Sequence, residues 1–209
     1  MVRLGIFGGT FNPIHWGHLV TAEAALDQFG LDSVLWLPSR FPPHKLQSLV
    51  AFEHRVEMVR LAIASHPQFA LCEVERQREG VSWAIDSFTD LQHAYPASQW
   101  YWIMGTDAFE KLTRWRGIQH LSRECVWLVA GRSRVTESDY KTGDRSTAGN
   151  TSDQSDQENE EIRSQSIEMP SVEISSSLVR QYCREGRSLR YLIPEPVRQY
   201  VQTHQLYQS

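Results

Sequence analysis

Five short apolar runs punctuate the chain, and each predicts a strand: Val2–Phe7, Ser33–Leu37, Phe69–Val74, Trp100–Met104 and Cys125–Ala130. They are nearly continuous in apolar character, the pattern of strands covered on both faces. Helical periodicity fills the intervals, over His18–Gln28, Phe52–Ser65, Trp83–Ala94 and Ala108–Thr113; in the second, Val56, Val59, Leu61 and Ile63 line one broad side. Two further helices are predicted over Ser176–Arg184 and Glu195–Thr203, and Gly30 and Gly186 stand where C-terminal caps belong. Repeated β-α alternation predicts one α/β domain over residues 1–209, an open parallel sheet of at least five strands with helices on both faces.

The pattern lapses once. Residues 133–168 hold nine Asp or Glu, four Lys or Arg and five apolar side chains (Val135, Tyr140, Ala148, Ile162 and Ile167). Such a stretch buries too little apolar surface to offset its ordering entropy. It predicts a mobile acidic insertion, a solvated loop by base rate, with a regulatory or partner-binding arm as the alternative. Closing so long a loop is cheap, at roughly 0.6 kcal/mol per doubling of length.

Composition narrows the class. The chain has 209 residues, 41% of them apolar, which excludes a wholly disordered protein. The net charge is −4, of which −5 falls within 133–168 and +1 on the rest. A generally basic nucleic-acid binder is therefore not expected, while a local anion site remains open. Cys72, Cys125 and Cys183 lie far apart with no CxxC pair, so neither a zinc ribbon nor a disulfide framework is expected, and a reducing compartment is. No apolar run approaches ~18 residues, and the first is too short for a secretory signal. The expectation is a cytoplasmic protein without a membrane partner; a homo-oligomer stays open.

The first predicted strand runs into Gly8-Gly9-Thr10-Phe11-Asn12-Pro13-Ile14-His15-Trp16-Gly17-His18, and a helix follows. Ligands of open α/β sheets bind at the carboxyl ends of strands. Gly8 and Gly9 let the backbone approach an anion, and the helix N-terminus adds N–H donors. No Walker A lysine follows and no G-x-G-x-x-G is present. Two imidazoles enter instead, spaced His-x-x-His, so that both can reach one phosphate chain from a single helix face. Gly17 between them leaves space for a flat base or a sugar. A zinc site would need a third ligand at matching spacing, and none is visible.

This segment resembles the signature of the HxGH nucleotidyltransferases and is especially similar to the nicotinate-nucleotide adenylyltransferase family, a Rossmann-like fold. That family usually carries Asp where Asn12 stands, so Asn12, on the mononucleotide side, takes a structural role in the turn. Downstream, a carboxylate ending the strand in Met104-Gly105-Thr106-Asp107 can bind ribose, and the indole of Trp115 can stack on a flat ring; a helix cap and core packing are the plain alternatives. The resemblance assigns Gly105 and Asp107 to ATP and Trp115 to the pyridine ring. Ile174-Ser175-Ser176-Ser177-Leu178-Val179-Arg180 resembles the family's second signature, with Ser175 and Ser176 at the nucleotide and Arg180 one turn inside the helix. Pro42-Pro43-His44-Lys45 is similar to a loop near the mononucleotide phosphate. Ser82-Trp83-Ala84-Ile85-Asp86 departs from the family pattern in lacking a threonine hydroxyl at Ala84, which bears on the choice between nicotinate and nicotinamide rings. The match covers about 1–132 and 169–209, and the tail 191–207 resembles the family's C-terminal helix.

The resemblance implies a reaction of ATP with nicotinate mononucleotide to deamido-NAD and pyrophosphate. His15, His18 and Arg180 would be catalytic. Gly8, Gly9, Thr10, Phe11 and Gly17 would contact ATP, and Asn12, His44, Lys45, Trp83, Ala84 and Trp115 would face the mononucleotide. Mg²⁺ is implied, held mainly by substrate phosphates, with no protein metal ligand expected. Alternatives left open are a preference for nicotinamide mononucleotide and a non-catalytic nucleotide sensor. Phosphopantetheine and glycerol-phosphate nucleotidyltransferases share the first signature but not the Gly105–Asp107–Trp115 set or the tail.

Overall fold

A computed structural model describes residues 1–43, 49–131 and 162–208. The five apolar runs form strands β1 (Arg3–Gly9), β2 (Ser33–Pro38), β3 (Phe69–Leu71), β4 (Gln99–Gly105) and β5 (Cys125–Ala130), and a sixth, β6 (Ser164–Ile167), joins them. They make one sheet of order β3-β2-β1-β4-β5-β6, parallel at every pairing. The helices are α1 (Trp16–Gln28), α2 (Phe52–Ile63), α3 (Ala84–Ala94), α4 (Thr106–Phe109), α5 (Ile118–Glu124), α6 (Ser176–Arg184) and α7 (Glu195–Thr203).

The strand period of two sorts the core into layers. Phe7, Val34, Trp36, Tyr101, Ile103 and Leu128 face one side, where Ala22, Ala25 and Leu26 of α1, Met58 and Val59 of α2, Val179 of α6 and Val197 and Val201 of α7 cover them. Leu4, Ile6, Leu35, Leu37, Trp100, Trp102, Met104 and Trp127 face the other, under Phe88 and Leu91 of α3 and Leu121 of α5. Every central strand is thus buried twice, which is why its sequence reads as an apolar run and not as an alternation. Gly30 and Gly186 take φ of +55° and +65° behind α1 and α6, as caps require.

Four expectations change. β3 stops at Leu71: Cys72 still donates its N–H to the Trp36 carbonyl (2.8 Å), and the chain then turns. The helix expected over Ala108–Thr113 is the one-turn α4 followed by a 3₁₀ turn at Leu112–Arg114. α5 was not expected, because its seven residues give less than two full turns of periodicity and Leu121 is its one fully buried apolar side chain. Within the stretch 133–168 expected to be mobile, Ser164–Ile167 forms a strand. Ser-Gln-Ser-Ile carries no apolar signal, yet it pairs with β5 from Trp127↔Ser164 to Ala130↔Ile167. Gln28 completes its outer edge, donating to the Ser166 carbonyl (3.0 Å) and accepting from the Glu168 N–H (2.8 Å). Residues 133–161 lie outside the described residues.

Ile103 is fully buried where β4 meets β1 and α1. Ile103→Ala is expected to lower unfolding free energy by about 2–5 kcal/mol, read as a shifted denaturant midpoint at unchanged slope.

Candidate active site

The chain leaves β1 toward β2 and β3 and later returns on the other side to β4, β5 and β6. The order therefore reverses between β1 and β4, and a crevice opens beyond their carboxyl ends. Phe7 pairs with Ile103, so Gly8-Gly9 and Met104-Gly105 emerge side by side. A Cβ at Gly105 would meet nothing within 4 Å, so the space beside this strand end is open.

The turn after β1 is tightly built. Phe11 sits at φ +47° with its ring buried, and that ring lies 3.1 Å from where a Gly9 Cβ would stand. A side chain at Gly9 would press on the Phe11 ring, which would have to shift by a few tenths of an ångström. The turn's carbonyls are taken by side chains from elsewhere in the chain: Thr10 O by Arg55 Nη1 (2.8 Å), Asn12 O by Arg180 Nη1 (2.8 Å) and Pro13 O by Ser176 Oγ (2.8 Å). The Asn12 side chain is buried, and its Oδ1 accepts from the Tyr207 hydroxyl (2.9 Å) and the Val50 N–H (3.4 Å). It points inward, as a structural turn residue does.

His15 is not in the first helical turn. It is the extended N-cap of α1, at φ −147° and ψ 170°, with His18 three residues on. The two imidazoles nevertheless meet, stacked at 3.7 Å between centroids and 26° between planes. His15 N–H donates to His18 Nδ1 (3.2 Å), which puts the proton of a neutral His18 on Nε2. The His18 ring is set edge-on to Phe11 at 5.2 Å and Phe7 at 5.9 Å. His15 is 7% exposed and its Nδ1 has no hydrogen-bond partner among the described residues. Burial pushes its pKa down to about 4. A Cβ at Gly17 would lie 3.0 Å from His15 Cε1 and Nδ1 and 3.3 Å from the Ile174 carbonyl. The absence of a side chain at Gly17 thus leaves room for the His15 ring.

α6 closes the crevice from the other side. Ser175 caps it, its oxygen accepting the Leu178 N–H (3.2 Å), while Ser176 ties it to the turn. Arg180, half-buried, also donates through Nη2 to Ser177 Oγ (3.1 Å). His15, His18 and Arg180 therefore converge on one turn. Next to them, Asp107 is exposed in the first turn of α4. Trp115 is half-buried and meets Trp102 and Trp127 edge-on at 5.8 and 6.0 Å. Trp83 is the N-cap of α3, half-buried, with the Arg116 guanidinium 5.8 Å from its ring centre. Ala84, the first residue of α3, packs on the core beneath it. Gly117, at φ +73°, lets the 115–117 loop press on Ile85, 2.8 Å from a would-be Cβ, and so joins the two tryptophan segments. His44 and Lys45 lie outside the described residues.

Two buried charges beneath the site, Arg55 and Glu75, carried no motif. The available signal for Arg55 was a charge on the apolar side of α2, between Phe52 and Val56. Among the described residues no three His, Cys, Asp or Glu side chains are grouped to hold a metal ion.

The chain matches the family model described as cytidylyltransferase-like over residues 6–182. It is 44% identical to a protein of Trichormus variabilis named as a probable nicotinate-nucleotide adenylyltransferase, over 99% of this chain and 98% of that one. A protein of the same name from Salinibacter ruber is 36% identical over 99% and 98%. Coverage this complete runs through the acidic 133–168 stretch, which the sequence resemblance left out. In fold, the chain is similar to the Plasmodium falciparum nicotinic acid mononucleotide adenylyltransferase solved with deamido-NAD (NaAD), at TM-score 0.75 and 19% identity over 99% and 98% of the two chains. With its turn, its paired imidazoles and its full-length relatives, the chain belongs to the cytidylyltransferase-like family and, within it, to the nicotinate-nucleotide adenylyltransferases.

Proposed function

We propose that this enzyme joins ATP to nicotinate mononucleotide. An oxygen of the mononucleotide phosphate bonds to the α-phosphorus of ATP, the bond from that phosphorus to the β-phosphate bridging oxygen breaks, and deamido-NAD and pyrophosphate leave. The observation that carries this reading is the convergence of stacked His15 and His18 with Arg180 on one glycine turn at the β1–β4 crevice. Relatives of that name over the full chain support the substrate pair.

The chemistry needs little proton transfer, because a phosphate monoester with its second pKa near ~6 is already a nucleophile at neutral pH. The obstacle is repulsion, about 4 kcal/mol per pair of unit charges at ~4 Å and an effective dielectric of ~20. The residues at the turn answer it with donors. Thr10 and Phe11 offer backbone amides beyond the end of β1, where Gly8 and Gly9 are paired with β2, His15 and His18 face the transferring phosphate, and Arg180 takes the β- and γ-phosphates. In this proposal Asp107 binds ribose and Trp115 stacks on the pyridine ring. Catalysis is then positioning plus electrostatics. The donor set around the turn is imidazole, guanidinium and amide, so Mg²⁺ fits here as an ion brought in on the triphosphate, where it neutralises phosphate charge. The three free thiols Cys72, Cys125 and Cys183 support a reducing, cytoplasmic setting for the proposed reaction.

The test is pyrophosphate release from ATP, Mg²⁺ and each mononucleotide. Nicotinate mononucleotide is expected to be the better substrate, and His18→Ala to lower kcat by about 10²–10³-fold with the fold retained. Full turnover by folded His18→Ala would overturn the assignment. Trp115→Ala is expected to raise KM for the mononucleotide more than for ATP; equal effects would remove ring stacking.

His15 supplies a pH test. Its folded pKa of about 4 lies below the ordinary 6.5, so between those values the unfolded chain binds a proton that the native one refuses. Stability is expected to fall as pH drops from 6.5 toward 4, with about 3 kcal/mol from this group. His15→Gln should flatten that slope in urea melts; identical slopes would contradict it.

A further inference from the structure

The guanidinium of Arg55, with 1% of the residue exposed, sends its donors to four backbone carbonyls: Nε to Val50 (3.2 Å), Nη1 to Thr10 (2.8 Å) and Ser39 (2.7 Å), and Nη2 to Arg40 (3.2 Å). These carbonyls belong to the turn after β1 and to the loop after β2. A trans peptide holds its C=O antiparallel to the next N–H, and these peptides are trans. Drawing the Thr10, Ser39 and Arg40 carbonyls inward therefore turns the Phe11, Arg40 and Phe41 amides the opposite way. Two of those amides donate to side chains of the neighbouring loop and α3 entry. The Arg40 N–H donates to Glu75 Oε2 (2.7 Å) and the Phe41 N–H to Ser82 Oγ (2.8 Å). The third belongs to Phe11, in the turn that carries the histidines, and it points away from the buried guanidinium.

Glu75, equally buried, extends the scaffold. Its Oε1 accepts from Ser87 Oγ in α3 (2.7 Å), and Ser82 N–H returns to the Phe41 carbonyl (2.9 Å). Ser39 N–H closes the remaining gap by donating to the Gly9 carbonyl (2.9 Å). One guanidinium thus fixes the nucleotide turn and the 39–41 loop against each other, and one carboxylate fixes that loop against the start of α3, where Trp83 stands. Burial works against the charge on Arg55, while the carboxylates of Glu75 and Glu53 work for it. Lysine does not replace this geometry, because a single nitrogen with three donors lacks the planar fork that spans four carbonyls.

We propose that Arg55 is a positioning residue for nucleotidyl transfer: it aims the Phe11 amide at the ATP phosphates and sets the mononucleotide wall in register with them, while Glu75 positions that wall alone. The proposal rests on the reaction proposed above, so its main readout, ATP affinity, is independent of turnover.

The experiment measures Mg-ATP affinity by calorimetry, then kcat and both KM values, for wild type, Arg55→Lys, Arg55→Met and Glu75→Gln, each checked for folding by circular dichroism and thermal melting. Folded Arg55→Lys is expected to lose about tenfold or more in ATP affinity and about 10²-fold in kcat, the size of effect a displaced turn produces. Glu75→Gln is expected to raise the mononucleotide KM about fivefold or more and leave ATP affinity within about twofold, because it touches only the far loop and α3. Should Arg55→Met not fold, Arg55→Ala with millimolar guanidinium ion decides: saturable recovery of ATP binding is expected. Folded Arg55→Lys with wild-type ATP affinity and kcat, or a loss confined to melting temperature, overturns the proposal. Glu75→Gln weakening ATP as much as the mononucleotide overturns its division of labour. If wild type binds ATP but releases no pyrophosphate with either mononucleotide, the reaction falls, while ATP affinity still decides the role of Arg55.

Discussion

A backbone turn can receive phosphate only if its carbonyls are engaged elsewhere, because an oxygen facing an anion repels it as strongly as an amide attracts it. In this chain the carbonyls of Thr10, Asn12 and Pro13 are taken by Arg55, Arg180 and Ser176. Those donors come from α2 and α6, and the hydroxyl of Tyr207, beyond α7, holds the Asn12 side chain. A site that looks local in sequence is therefore assembled from segments nearly two hundred residues apart. The Asn12 contact alone spans 195 residues.

The same economy governs charge. His15 is stacked on His18 and buried, and burial keeps it neutral near pH 7, so the free enzyme does not hold two mutually repelling cations at 3.7 Å. A neutral imidazole still offers an N–H, and an arriving triphosphate supplies the negative charge that favours its protonated form. Arg180 needs no such arrangement, since it is half-exposed and already bonded to a carbonyl and to Ser177. Donors that exist before the substrate arrives require no reorganisation when the reaction occurs.

Much of this was legible in the chain. Doubly buried strands wrote themselves as apolar runs, and the five expected strands are the centre and one edge of the sheet. β6 was not legible, because a polar edge strand with one buried residue, Ile167, is held by pairing with β5 and by Gln28 and not by its own composition. α5 was too short to show a period. At the site, the motif residues His15, His18, Arg180 and Ser176 could be read, yet the work of some could not. The fit of the His15 ring against Gly17 is one such feature, since it depends on the path of the chain before α1. Arg55 and Glu75 were invisible because their partners are backbone atoms and a serine, which leave no signature in residue type.

The central claim is that the turn after β1 is a donor surface for the reacting phosphates. A crystal structure with a non-hydrolysable ATP analogue tests it most directly. The α-phosphate is expected within hydrogen-bond distance of the Phe11 amide and His18, with Arg180 on the outer phosphates. A triphosphate seated away from that turn, with these three groups making no contact to it, would contradict the account.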